Sequence, residues 1–171
     1  MAKRWAIGLD VGPESYKPDT PVDADSQQTD FGQLELAARF RIRAPIEIGL
    51  ALHLGGSKAD LSMGGIYLDF RYRFMAEQKL NIYALAGLGV LAIARDAASD
   101  DAKRGRGSLR LGAGLEYRWS WFALIAELRL IGVGENTQLG PSVTTPEPVD
   151  YELSRYKLSG GSLALGANVY F

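Results

Sequence analysis

The sequence predicts an all-β chain folded as an eight-stranded antiparallel up-and-down transmembrane β-barrel, and three observations carry that expectation. Apolar residues alternate with polar or small ones about eight times, whereas helical periodicity is weak. One side of every alternating segment is free of charge, while the other mixes arginine with aspartate and glutamate. Aromatic residues collect at the segment ends that adjoin short connections.

The segments follow in order, identified by their uncharged, outward positions. The first carries Trp5, Ile7, Leu9 and Val11, and the second Leu34, Leu36, Ala38, Phe40 and Ile42. The third has Ile46, Ile48, Leu50, Leu52 and Leu54; the fourth has Ile66, Leu68, Phe70, Tyr72 and Phe74. The fifth is apolar or small on both sides, and Leu80, Ile82, Ala84, Ala86, Leu88, Val90 and Ala92 are taken as outward. Leu109, Leu111, Ala113, Leu115, Tyr117 and Trp119 define the sixth, and Phe122, Leu124, Ala126, Leu128 and Leu130 the seventh. The eighth has Leu163, Leu165, Ala167, Val169 and Phe171.

Short connections fall at Arg43-Ala44-Pro45, at 76–79 and at Ser120. Longer ones run over 12–30, 95–106 and about 132–157, with a moderate one at 55–60. Proline is expected to keep to these loops, because a strand interior would lose a ladder bond. Length suggests one domain, 1–171.

Composition narrows the chemistry. The chain has 19 Lys+Arg against 20 Asp+Glu, one His and no Cys. A basic excess typical of nucleic-acid binders is missing, so no nucleic-acid partner is expected. Without cysteine there is no disulfide scaffold, thiolate zinc site or thiol nucleophile, and a single His gives no His-pair metal site. No metal, cofactor or catalytic residue is therefore assigned. No run approaches the length of a membrane helix. Met1-Ala2-Lys3-Arg4 leads directly into the first segment, so a signal peptide is expected to be absent from this chain, as in a mature exported form.

Alternation fits two opposite structures: a soluble sandwich with its apolar face inside, or a membrane barrel with that face in lipid. About forty outward positions, many bulky, would not fit inside a closed eight-stranded barrel, whose interior is only wide enough for side chains. That argument leaves the sandwich open. Segments of about 9 to 13 residues suit a tilted bilayer crossing better than a soluble sheet. The aromatic set Trp5, Tyr72, Phe74, Tyr117, Trp119, Trp121 and Phe122 is placed as an interfacial girdle on the short-turn side. Together these favour the membrane barrel.

The C-terminus, Gly166-Ala167-Asn168-Val169-Tyr170-Phe171, ends in alternating apolar residues and a terminal Phe. With the eight segments, and with the glycine-rich stretch Tyr83-Ala84-Leu85-Ala86-Gly87-Leu88-Gly89, it resembles the small eight-stranded outer-membrane barrels of Gram-negative bacteria, such as the OmpA transmembrane domain and OmpX. That resemblance implies a bacterial outer-membrane location. It also implies that Gly166, Val169 and Phe171 belong to a terminal signal read by the barrel-assembly machinery, and that the long loops face outside.

Inside such a barrel the charged face, which takes in Arg4 and Asp10 of the first segment, forms the lumen. Its cations are arginines: Arg39, Arg41, Arg43, Arg71, Arg73, Arg110, Arg118 and Arg129. Arginine suits enclosed ion pairs, because its planar fork binds a carboxylate bidentately. Glu35, Glu47, Asp69, Glu116 and Glu127 are the expected partners, giving a plug of ion pairs and bridging waters. The excess of arginine over these acids also admits a narrow porin-like or OmpW-like channel. His53 is the one acid–base candidate. Some relatives by resemblance are lipid A-modifying enzymes with Ser/His sites, but Ser57 and Ser62 do not complete a matching pattern, so His53 is read as structural. In the loops, Glu14, Asp19, Asp23, Asp25 and Asp30 lean acidic, with Asp96, Asp100 and Asp101 further on. Arg95, Lys103, Arg104 and Arg106 are candidates for lipopolysaccharide phosphates. Expected partners are outer-membrane lipid and lipopolysaccharide, with the barrel itself a monomer.

Overall fold

A computed structural model of the chain describes residues 4–18, 28–58, 61–95, 105–134 and 157–171. Eight strands account for nearly all of them: β1 (Trp5–Pro18), β2 (Thr29–Arg43), β3 (Ile46–Ser57), β4 (Leu61–Arg73), β5 (Leu80–Arg95), β6 (Arg106–Arg118), β7 (Phe122–Val133) and β8 (Leu158–Tyr170). Each pairs antiparallel with its chain neighbours, and β8 returns to β1 through pairs such as Ala6↔Tyr170 and Val11↔Leu165. The sheet is a closed barrel without an edge. Closure satisfies backbone groups that hydrocarbon would leave unpaired.

The two faces are inverted relative to a water-soluble fold. Leu128 is 65% exposed and Leu111 50%, whereas Arg110 is 1% exposed and Glu35 fully enclosed. Large apolar side chains line the outside of all eight strands, and the phase expected for β5, with Leu88 and Val90 outward, is the one observed. The inverted surface is that of a barrel spanning a membrane, and no sandwich is formed.

Four expectations are corrected. The strands are 12 to 16 residues long and run past the expected limits at the long-connection end. Pro13 lies inside β1, where the β1–β8 ladder skips Gly12 and Pro13, so the missing N–H removes no bond from a continuous ladder. Arg43 is exposed, because the β2–β3 register shifts between Arg41 and Arg43 and turns the strand end outward. Arg4, placed on the inner face by alternation, is likewise exposed at the barrel rim.

The strand extensions change character. Beyond the leucine band, outward positions become small or polar, as at Ser15, Lys17, Gly32 and Ser62. Inward positions there become apolar: Tyr16, Phe31, Leu61, Met63, Leu91, Ile93, Ile131, Val133 and Leu158 form one buried cluster with Tyr67. Once the wall leaves hydrocarbon, the ordinary rule of apolar side inward returns. The result is an apolar cork at the outer end of the lumen.

Substituting Leu128→Arg places a charge midway along β7 on the lipid face. It is expected to destabilise the barrel by about 2–4 kcal/mol, measured by denaturant unfolding in lipid vesicles. A change near zero would contradict the inverted-surface reading.

Candidate functional site

Inward positions of every strand project into one narrow space, so charges distant in sequence become neighbours. Glu35 on β2 sits at the centre. Arg110 on β6 reaches it at 2.5 Å and also grips Asp69 on β4, its Nε donating to Asp69 Oδ1 at 2.9 Å. From β7, Arg129 donates to Glu35 at 2.9 Å and approaches Asp10 on β1 at 3.2 Å. Asp10 also meets Arg39 at 3.2 Å, and Arg39 donates to Asn168 as well. Glu127 joins this cluster to Arg71: it accepts from Arg129 and from the Tyr83 hydroxyl (2.6 Å), and lies 3.0 Å from Arg71.

A second cluster closes the short-turn end. Arg73 lies 2.8 Å from Glu47 and 3.1 Å from Glu116, and donates to the Tyr170 hydroxyl at 2.9 Å. That hydroxyl donates to Glu116 at 2.7 Å, and Arg118 also pairs with Glu116. Arg41 is only half-buried, with its guanidinium 5.3 Å from the Tyr170 ring centre. The Arg118 guanidinium lies over the same ring at 4.5 Å, a cation–π contact that supplements the ion pair.

Toward the cork, His53 bridges two carboxylates. Its Nε2 is 2.9 Å from Glu14 and its Nδ1 is 3.4 Å from Glu35, while the Tyr16 hydroxyl donates to Glu14. The imidazole is 1% exposed and faces no lipid. Ser57 and Ser62 lie near the outer end of the wall, on β3 and β4, with Ser62 exposed. Among the described residues, no three His, Cys, Asp or Glu side chains are grouped to hold a metal ion.

Sequence reasoning placed Glu14 in a loop and did not enlist Asp10 as an arginine partner, yet both are enclosed acids. With them added and Arg43 removed, the excess of arginine over carboxylate that admitted a channel disappears from the ladder. The available signal was parity: Asp10, Gly12, Glu14 and Tyr16 continue one inward series. Arg106 also differs from expectation, since it is buried at the start of β6, near the Gly134 carbonyl oxygen at 3.4 Å. Asp19, Asp23, Asp25, Asp96, Asp100, Asp101, Lys103 and Arg104 lie outside the described residues, as does the Arg95 side chain.

Packing around the charges depends on tyrosine facing glycine. Tyr16, Tyr67 and Tyr83 stand directly opposite Gly160, Gly89 and Gly114 on neighbouring strands. A Cβ at Gly114 would fall 2.4 Å from the Tyr83 ring, so glycine is what lets the ring lie flat on the wall. Two of these rings carry a guanidinium: Arg110 over Tyr67 at 4.1 Å and Arg71 over Tyr83 at 4.8 Å.

The remaining site residues lie at the short-turn end. Trp5, Tyr72, Phe74, Tyr117, Trp119 and Trp121 are exposed there and Phe122 is half-buried. Several rings touch, including Tyr72 with Phe74 (5.3 Å between centres) and Tyr117 with Trp119 (4.8 Å). Gly166 and Val169 lie within β8, and the Phe171 amide donates to the Trp5 carbonyl at 2.8 Å, joining the end of β8 to the start of β1.

Fold and lumen together define a small eight-stranded membrane-spanning barrel with its charges enclosed. Solved outer-membrane barrels share this architecture. Neisserial surface protein A aligns with a TM-score of 0.71 over 98% of this chain and 97% of its own, at 15% identity. The N-terminal β-barrel domain of Pseudomonas aeruginosa OprF aligns at 0.56 with 16% identity, covering 99% and 100%. The outer membrane protein OprG of the same organism gives 0.52 at 12% identity, over 99% and 97%. No known family profile and no curated protein sequence matches the chain.

Removing one member of a buried ion cluster strands the others. Glu35→Gln is expected to destabilise the barrel by about 3–5 kcal/mol, because Arg110 and Arg129 lose a shared carboxylate. Denaturant unfolding of the folded protein checks this, and a loss below about 1 kcal/mol would mean that the pairs are solvated like surface ones.

Proposed function

We propose that this outer-membrane barrel is a structural and surface-interaction protein whose lumen is plugged, and that it is neither a channel nor an enzyme. The observation that supports this reading is the run of buried side chains along the lumen. An apolar cluster lies at its outer end, and two clusters of Arg–carboxylate pairs lie below it. An eight-stranded wall leaves little cross-section beyond its own side chains. The amides of Gln33 and Asn81 lack protein partners among the described residues, as do atoms of Arg71, Arg73 and Asn168, and bridging waters at such enclosed polar atoms would complete the plug.

The same reading covers the rest of the molecule. The exposed rings from Trp5 to Trp121 anchor the short-turn rim at the periplasmic interface. Gly166, Val169 and Phe171 present the terminal strand to the barrel-assembly machinery during biogenesis. Outer-membrane lipid and lipopolysaccharide surround a monomer, and the long connections are the interacting surface. The neisserial neighbour is a surface protein, and that likeness supports this assignment. A lipid-modifying role is disfavoured because His53 is turned into the lumen between Glu14 and Glu35.

Planar-bilayer recording tests the plug. The purified protein is expected to give no discrete conductance steps. Reproducible steps that vanish in Arg110→Ala would establish a channel instead.

A further inference from the structure

Charge in the lumen is not spread evenly along the barrel. In its middle, Arg39, Arg71, Arg110 and Arg129 meet five enclosed acids, and His53 bridges two of them. At the short-turn end the imbalance is reversed. Among the described residues, Arg41, Arg73 and Arg118 have only Glu47 and Glu116 to share.

Arg41 is the cation left over. It stands opposite Glu47 in the β2–β3 register, yet Glu47 lies 2.8 Å from Arg73. The Nε and Nη2 groups of Arg41 are enclosed and have no hydrogen-bond partner among the described residues. The same holds for Nε and Nη1 of Arg73, Nε of Arg118 and the amide nitrogen of Asn81. Arg73 is 1% exposed, and fully enclosed Asn81 stands directly opposite Glu116. Turning Glu47 toward Arg41 would satisfy one fork at the expense of another, since three cations would still face two carboxylates. Water can meet an N–H group, but it does not offset a surplus charge in an enclosed space.

That surplus is one positive charge, which a monoanion offsets. The unmet donors belong mainly to planar forks, which bind the two oxygens of a carboxylate side by side. Arg41 is part-exposed and the Arg118 side chain is 16% exposed, so a small solute can arrive from the water beyond the short turns. Exposed Arg4 and Arg43 at the same rim add a positive potential that draws anions toward it.

We propose that the short-turn mouth of the barrel is a binding site for one small monocarboxylate, held by Arg41 together with Arg73 and Arg118. The site goes beyond the plugged-lumen reading, because it uses the mouth below the plug and requires no passage through the barrel. Conductance steps would end the plug and leave the carboxylate site to be decided by its own titration.

Heteronuclear NMR of isotope-labelled arginines in the full chain, folded in a maltoside detergent that carries no oxyanion, tests it by titration with sodium acetate. Saturable shifts of the Nε–H signals are expected at Arg41, Arg73 and Arg118, fitting one acetate per barrel. Sodium chloride at equal ionic strength should give no such response. Arg41→Gln should weaken acetate binding about tenfold or more, the factor for losing a hydrogen bond to a charged group. Arg43→Gln removes the same charge from the exposed rim and should change the affinity by about twofold at most. The site is overturned by the absence of saturation, by chloride acting as well as acetate, by inorganic phosphate binding more tightly than acetate, or by equal losses in the two variants. Should Arg41→Gln not fold, judged by electrophoretic mobility, the contrast between acetate and chloride in the unaltered protein decides.

Discussion

Hydrocarbon accepts neither an unpaired peptide group nor a charge, and most of this structure follows from those two refusals. The first forces β8 back onto β1, because an open sheet would leave a row of backbone donors and acceptors facing lipid. The second clears every outward position between the rims of charge and moves the arginines and carboxylates inside. With eight strands the enclosed space is narrow, so each charge that enters must find its counterpart at once. Glu35 illustrates the consequence: strands β6 and β7 each send an arginine to it, and β3 sends His53.

The same constraint explains where the pattern stops. At the outer end the wall emerges from hydrocarbon, and the faces exchange roles. Ser15 and Lys17 face outward while Tyr16 turns in, and Ile131 and Val133 turn in beside outward Gly132. The barrel is thus inverted in its lower part and ordinary in its upper part. His53 and Glu14 lie where the two regimes meet, with charged ladder on one side and apolar cork on the other.

This boundary also accounts for what the sequence made legible. Alternation with a charge-free face located all eight strands, their order and the outward phase of each, even for β5, where Leu85, Leu91 and Ile93 blur the contrast. It under-measured the strands because counting uncharged outward positions ends where hydrocarbon ends. Past that point, Pro13-Glu14-Ser15 looks like a turn, although Glu14 keeps the inward parity of Asp10. Arginine and glutamate were identifiable as lumen residues from parity alone. Which pairs with which was not, since partners such as Arg129 and Asp10 are set by barrel closure and the stagger between strands. The register shift that expels Arg43 depends on local strand geometry at a tight turn, and period-two counting has no term for it.

The central claim is that solvent is inverted around the strands, and the absence of native cysteine makes it directly measurable. Single cysteines carrying nitroxide labels along β6, from Leu109→Cys to Leu115→Cys, can be read in bilayers for collision with oxygen and with a water-soluble nickel chelate. The account predicts high oxygen and low nickel accessibility at 109, 111, 113 and 115, with both low at the enclosed positions between them. Nickel accessibility at the leucine positions, or oxygen maxima at 110 and 112, would contradict it.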